Sequence, residues 1–179
     1  AVVTPDSRGV YLISPGQADG AFENTLLYYT ISSREEPTRT ISLGSNVVLS
    51  IRSAGRCWII GDESLMILDS SGVITASYDY KDQYLKMGSL QGDNYAALYL
   101  SPSSSGSTGT LVTVGSDGRA YGELALDGQT LAMAAQGKTI AVLTTNAIYT
   151  TDRNLTSYTT SPNQRGIRNL AVYADGSVA

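Results

Sequence analysis

A chain of 179 residues with 42% apolar and 16% charged side chains and a formal charge of −4 can bury a core and does not have the make-up of a disordered polyelectrolyte. It has no histidine and one cysteine, which removes imidazole-based triads, metal sites and proton shuttles, internal disulfides and Cys-x-x-Cys pairs. The 12 basic residues are scattered singly from Arg8 to Arg168, so no basic stripe matches a phosphate backbone and nucleic acid is not an expected partner.

Helical periodicity is almost absent. Short runs of Val, Ile, Thr, Leu and Tyr instead alternate with Gly, Asp, Asn and Ser, the signature of an all-β chain. A first group of strands is predicted at Val2-Val3, 9–14, 25–32 and 39–43, with residues 15–20 as an open loop and Glu36, before Pro37, as a turn. A second follows at 47–51, 57–60, 65–69 and 73–80, and a third at 84–87, 94–100, 110–114 and 119–126, interrupted by the serine-rich insert 101–109. The fourth is predicted at 130–134, 139–144, 147–151 and 155–159, and residues 168–173 and 175–178 open a fifth. Residues 130–136 contain strong helix formers, but their alignment with 48–53 predicts a strand.

The groups are related. Without gaps, residues 55–73 fall on residues 137–155, 82 positions later, with a shared order of turn Gly, apolar strand, polar turn and second strand; Gly72 then meets Asn154. Both residue types tolerate the positive φ of a tight turn. With Glu36 and Gly118, the turns recur at 36, 72, 118 and 154, intervals of 36, 46 and 36 residues, the long one containing the insert. A repeat of about 40 residues with four short strands is the spacing of a β-propeller blade. The expected architecture is an all-β β-propeller in one domain. Its blades span approximately 1–45, 46–82, 83–127 and 128–163, with a partial blade at 164–179. Ser177-Val178 would duplicate Gly9-Val10 in a closed four-bladed ring, so a fragment of a longer propeller is expected.

The unit from Trp58 to Gly72 and that from Leu111 to Glu123 resemble repeats of quinoprotein-type and WD40-like propellers over nearly the whole chain. The Trp-Asp and Gly-His signatures, the kelch glycines and the regular outer-strand Trp are absent. More narrowly, the chain is similar to bacterial propeller-like domains of unknown function that follow an N-terminal membrane span in Gram-positive anaerobes. That resemblance implies an extracytoplasmic location, tethered by a span outside this chain, and supplies no catalytic residues. Ala1 is not an initiator Met, which leaves room for a preceding leader or anchor. The longest apolar runs, such as Tyr95 to Leu100, are far short of the roughly 20 residues of a spanning helix.

Individual candidates mostly read as structural. Asp62-Glu63 is the best pair for acid/base or cation chemistry, but it falls on a hairpin turn, where Asp is favoured for bonding its own backbone. Asp69, Asp117, Asp127, Asp152 and Asp175 also lie at or beside turns, without calcium-loop spacing. Residues 106–109 and 115–118 lack the Lys and the helix of a phosphate loop. Cys57, in the apolar run Cys57-Trp58-Ile59-Ile60, reads as a small buried hydrophobe. Asn154-Leu155-Thr156 matches a glycosylation acceptor, a triplet common by chance. Tyr28, Tyr29, Tyr78, Tyr80, Tyr84, Tyr95, Tyr99 and Tyr121 suit either a binding surface or packing between sheets, the packing role being favoured. No catalytic, cofactor or metal residues are assigned and no cofactor is expected. The expected function is a non-enzymatic binding or scaffold module presenting propeller loops to a protein or glycan. The alternative is a carboxylate-based hydrolase or lyase completed by blades outside this chain.

Overall fold

The computed structural model describes residues 3–5, 8–33, 35–164 and 166–179, the first three as backbone only. Its described residues form sixteen strands and no helix. Four antiparallel sheets of four strands each follow the chain in order. Sheet one holds β1 (Val3–Pro5), β2 (Gly9–Ala18), β3 (Ala21–Thr30) and β4 (Arg39–Ser42). Sheet two holds β5 (Val48–Ala54), β6 (Arg56–Gly61), β7 (Ser64–Leu68) and β8 (Ile74–Asp79). Sheet three holds β9 (Tyr84–Ser89), β10 (Tyr95–Ser101), β11 (Thr110–Gly115) and β12 (Ala120–Ala125). Sheet four holds β13 (Thr130–Gln136), β14 (Thr139–Thr144), β15 (Ala147–Thr151) and β16 (Tyr158–Pro162). Val2, expected in the first strand, lies outside the described residues.

The chain divides into two compact units, residues 1–79 and 80–179, each holding two sheets. In the first, Tyr11, Ile13, Leu26 and Tyr28 of sheet one pack against Ile51, Cys57, Ile59, Met66 and Leu68 of sheet two. In the second, Tyr95, Ala97, Tyr99 and Leu111 of sheet three pack against Ile140, Val142 and Tyr149 of sheet four and Leu155 of the turn between β15 and β16. The opposite faces of the middle strands are buried too: Trp58 and Ile60 alternate with Cys57 and Ile59, and Ala96 and Leu98 with Tyr95 and Ala97. Each such side chain contributes about 1.5–3 kcal/mol by leaving water. Middle strands buried on both faces beside outer strands that alternate exposed and half-buried, as β8 and β12 do, are the pattern of blades that bury themselves against neighbours. The chain has the β-propeller fold. Beyond sheet four, Val172 pairs with Val178, and Ala171 and Ala179 exchange backbone hydrogen bonds, forming a further hairpin.

Three local expectations are corrected. Residues 15–20 are no open loop: β2 and β3 stay paired out to Ala18 and Ala21. Asp19 and Gly20 between them, with φ of 52° and 80°, make the two-residue turn whose twist matches a hairpin. The 82-residue overlay slips by one after its first turn. Ala54 pairs with Arg56 across Gly55 alone, whereas Gln136 pairs with Thr139 across Gly137 and Lys138. From there the correspondence runs at 83, Cys57 with Leu68 matching Ile140 with Thr151. The residue in the place of Gly72 (φ 83°) is therefore Leu155 (φ 56°), not Asn154. Glu36, lastly, lies in a connection running from Thr30 to Arg39 and not in a tight hairpin turn; its carbonyl accepts from the Ser33 hydroxyl at 3.1 Å. Residues 130–136 are a strand, as the alignment with 48–53 predicts.

Candidate functional site

The strongest candidate lies in the first unit, at one end of sheets one and two. Antiparallel register places Tyr11, Tyr28 and Arg39 in one cross-strand row over β2, β3 and β4, and side chains opposite each other on one face touch. The two rings sit 4.5 Å apart at 39°, and the Arg39 guanidinium carbon lies 5.1 Å from the Tyr28 centroid. Arg39 Nη1 also donates to the Ser70 carbonyl in the β7–β8 turn, so this one side chain bridges the two sheets. Arg8 approaches β2 from outside the strand, its carbonyl accepting from Ile31 N at 3.2 Å. Arg56 opens β6 beside Gly55, whose φ of 73° makes the tight turn from β5.

These residues line a cleft of about 460 Å³. Cys57, in its wall, is buried in the core, as expected of a small hydrophobe. Asp69 is the one carboxylate among the described residues of the lining. Its Oδ1 accepts from Ser71 N (2.8 Å), Ser71 Oγ (2.6 Å) and Val73 N (3.0 Å), and the Ser71 hydroxyl and Val73 amide hold the carboxyl below its ordinary value of 3.8. Among the described residues the lining holds three guanidiniums, of Arg8, Arg39 and Arg56, and one carboxylate. Guanidinium stays protonated and offers a planar fork of donors.

The residues weighed from the sequence sit elsewhere or serve turns. Asp62 and Glu63 form the β6–β7 turn: Asp62 Oδ1 accepts from Val47 N at 2.6 Å, and Glu63 N donates to the buried Asn46 Oδ1 at 3.0 Å. Asp117, Asp152 and Asp175 accept backbone N–H bonds from two residues ahead, at 3.1, 2.9 and 2.9 Å, and Asp175 is held low by the Ser177 hydroxyl and amide. Among the described residues no three His, Cys, Asp or Glu side chains are grouped to hold a metal ion. The tyrosines differ in exposure. Tyr28, Tyr80, Tyr95 and Tyr99 are buried, while Tyr84 and Tyr121 are exposed. Burial, then the Asp93 carboxylate, push the Tyr95 phenol up to about 12, so it is a protonated packing group at neutral pH. The sequence reading missed the cleft. Arg8 and Arg56 both stand at the approach to the second strand of their sheets, a positional match that a strand-by-strand comparison of basic residues would have found.

Comparison with known proteins adds the fold and no more. No protein-family model matches the chain, and no curated protein matches it. Solved β-propeller structures do. Hsv2 from Kluyveromyces marxianus superposes with a TM-score of 0.56 at 9% identity, over 97% of this chain and 51% of that one. The BBS1 N-terminal region, solved in complex with ARL6, gives 0.54 at 13% identity, over 86% and 48%. AztD from Citrobacter koseri gives 0.52 at 13% identity, over 96% and 53%. The chain spans about half the length of these proteins.

Proposed function

We propose that this chain is part of a non-enzymatic recognition module, a propeller that presents one end of its sheets to a protein partner. The observation that carries the reading is the cleft between sheets one and two, where guanidiniums and a tilted pair of tyrosine rings form a lining suited to holding a ligand. Aromatic and arginine side chains are the groups that concentrate binding energy at protein interfaces. The complex of the BBS1 region with ARL6 supports a protein partner by likeness of fold. A glycan ligand, which rests on the tyrosine-rich composition, belongs to the same proposal, as do an extracytoplasmic setting and a tether preceding this chain, which rest on the sequence resemblance.

The test is site-specific photo-crosslinking in cells making the full-length protein. A benzophenone side chain at Ser70, on the cleft rim, should give a discrete adduct that Arg56→Ala removes, while one at the exposed Thr160 of β16 should not. Adducts at neither position, or equally at both, would remove the cleft as the recognition site. Protease accessibility of the tagged protein in intact cells reports the compartment.

A further inference from the structure

We infer that the hairpin of β2 and β3 is a docking ribbon for a protein segment that offers an apolar side chain flanked by Lys or Arg. The ribbon lies at the far end of β2 from the cleft, and the inference does not depend on the reading of the cleft. Length comes first. β2 and β3 run ten residues each, while the other strands among the described residues have seven or fewer. β4 stops pairing with β3 at Thr25, and β1 pairs with β2 only between Val10 and Leu12. From Gly16 to Glu23 the hairpin therefore overhangs its sheet as two strands closed by the Asp19-Gly20 turn. Two strands alone are marginal in water, and this pair is fixed at its root. Buried Asn24 donates from N to the Gly44 carbonyl (2.9 Å) and from Nδ2 to the Asn46 carbonyl (2.8 Å), and its own carbonyl accepts from Leu43 N (2.8 Å).

The apolar surface comes second. Alternation along β3 puts Phe22 on the same face as Leu26 and Tyr28, which pack against sheet two. Phe22 is the chain's one phenylalanine, and it stays 44% exposed on that face beyond the core. Sheet two reaches the root of the ribbon through buried Asn46, whose Nδ2 donates to the Ser64 carbonyl at 3.2 Å and whose Oδ1 accepts from Glu63 N at 3.0 Å. Val47, the next residue, is exposed as well. Phe22 and Val47 thus flank the Asn24–Asn46 bond, and aromatic side chains are enriched in protein interfaces. Charge, third, names the partner. Asp19 and Glu23 lie on the ribbon and Asp62 and Glu63 in the β6–β7 turn, while residues 14–24, 42–49 and 61–64 contain no Lys or Arg. Glu23 and Asp62 accept from neutral donors, the Ser42 hydroxyl and Val47 N. Apolar surface inside an acidic rim is complementary to an apolar side chain between basic ones.

A benzophenone side chain at Gln17, which pairs with Phe22, tests this in cells making the full-length protein. It should give a discrete adduct, and mass spectrometry of the crosslinked peptide should find an apolar residue with Lys or Arg on both sides. Phe22→Ser, outside the core, should lower the yield about tenfold and leave the melting temperature unchanged. Asp62→Asn combined with Glu63→Gln keeps the Oδ1 acceptor for Val47 N and should lower the yield severalfold. No adduct, an adduct indifferent to these variants, or one with a glycan, a second copy of this chain or a peptide lacking basic residues would overturn the inference. Ser70 and Gln17 lie at opposite ends of the sheets, so a Gln17 failure with a surviving Ser70 adduct removes the ribbon and leaves the cleft.

Discussion

The same turn is docked in two different ways in the two halves of the chain. In sheet four the β15–β16 turn presses backbone onto backbone: a Cβ at Gly122 of sheet three would lie 2.1 Å from the Asn154 carbonyl oxygen. Thr113 Oγ1 also donates to the Arg153 carbonyl, and Leu155 is buried to 5% exposure in the shared core. In sheet two the equivalent β7–β8 turn meets sheet one through side chains, with Arg39 reaching Ser70 and the end of Ile41 facing Gly72. A long polar arm holds two surfaces apart where a glycine lets them touch. The charged cleft occurs at the junction built with the arm.

The sharpest way to break this comparison is to put a methyl group at each junction. Gly122→Ala meets a backbone oxygen that cannot move aside, and should cost about 3 kcal/mol, the upper end of overpacking penalties. Gly72→Ala meets side chains and no backbone, with Ile41 Cδ1 2.7 Å and Arg39 Cδ 3.4 Å from the new Cβ. Its cost should be about 1–2 kcal/mol, mostly from its left-handed backbone. Denaturant midpoints of the two variants measure the difference; equal costs would mean that the junctions do not differ in kind.

Leu155 gives the next largest effect. Its truncation to Ala should cost about 3 kcal/mol, as for other buried leucines. Leu155→Gly should then be more stable than Leu155→Ala by about 1 kcal/mol, an inversion of the usual order that a left-handed φ produces. Equilibrium unfolding of the pair decides whether strain is present at that turn.

Arg39→Ala should cost about 1–2 kcal/mol, the sum of a modest ring contact and one hydrogen bond, read as a shift in the thermal midpoint. The smallest effect is acidic. Because the folded Asp69 carboxyl is held below its ordinary 3.8, its stabilisation is complete above that value and fades as pH falls through the folded pKa. Amide exchange at Ser71 and Val73, corrected for intrinsic rates, should therefore accelerate below about pH 4.

How much of this was written in the sequence depends on distance along the chain. Strand-and-turn order was legible because its causes are local: alternating apolar runs, and Asp or Gly where a turn needs a self-bonding carboxylate or positive φ. The helix formers in 130–136 were overridden by packing, since Ala132 and Ala135 lie on a buried strand. The one-residue slip after Gly137 escaped because a turn one residue longer leaves composition unchanged while moving every later side chain to its neighbour's place. Asp19-Gly20 was a readable hairpin signal hidden by Pro15 and Gly16 before it. The cleft was least legible. Arg8, Arg39 and Arg56 look solitary in the sequence and line one cleft only once sheet one packs against sheet two.

One consequence of the topology remains. Every ladder within the four sheets joins consecutive strands, so each pairing partner is the segment just synthesised. Such nearest-neighbour zippering closes only short loops, which favours rapid assembly, and a chain made this way can build its sheets in the order they leave the ribosome.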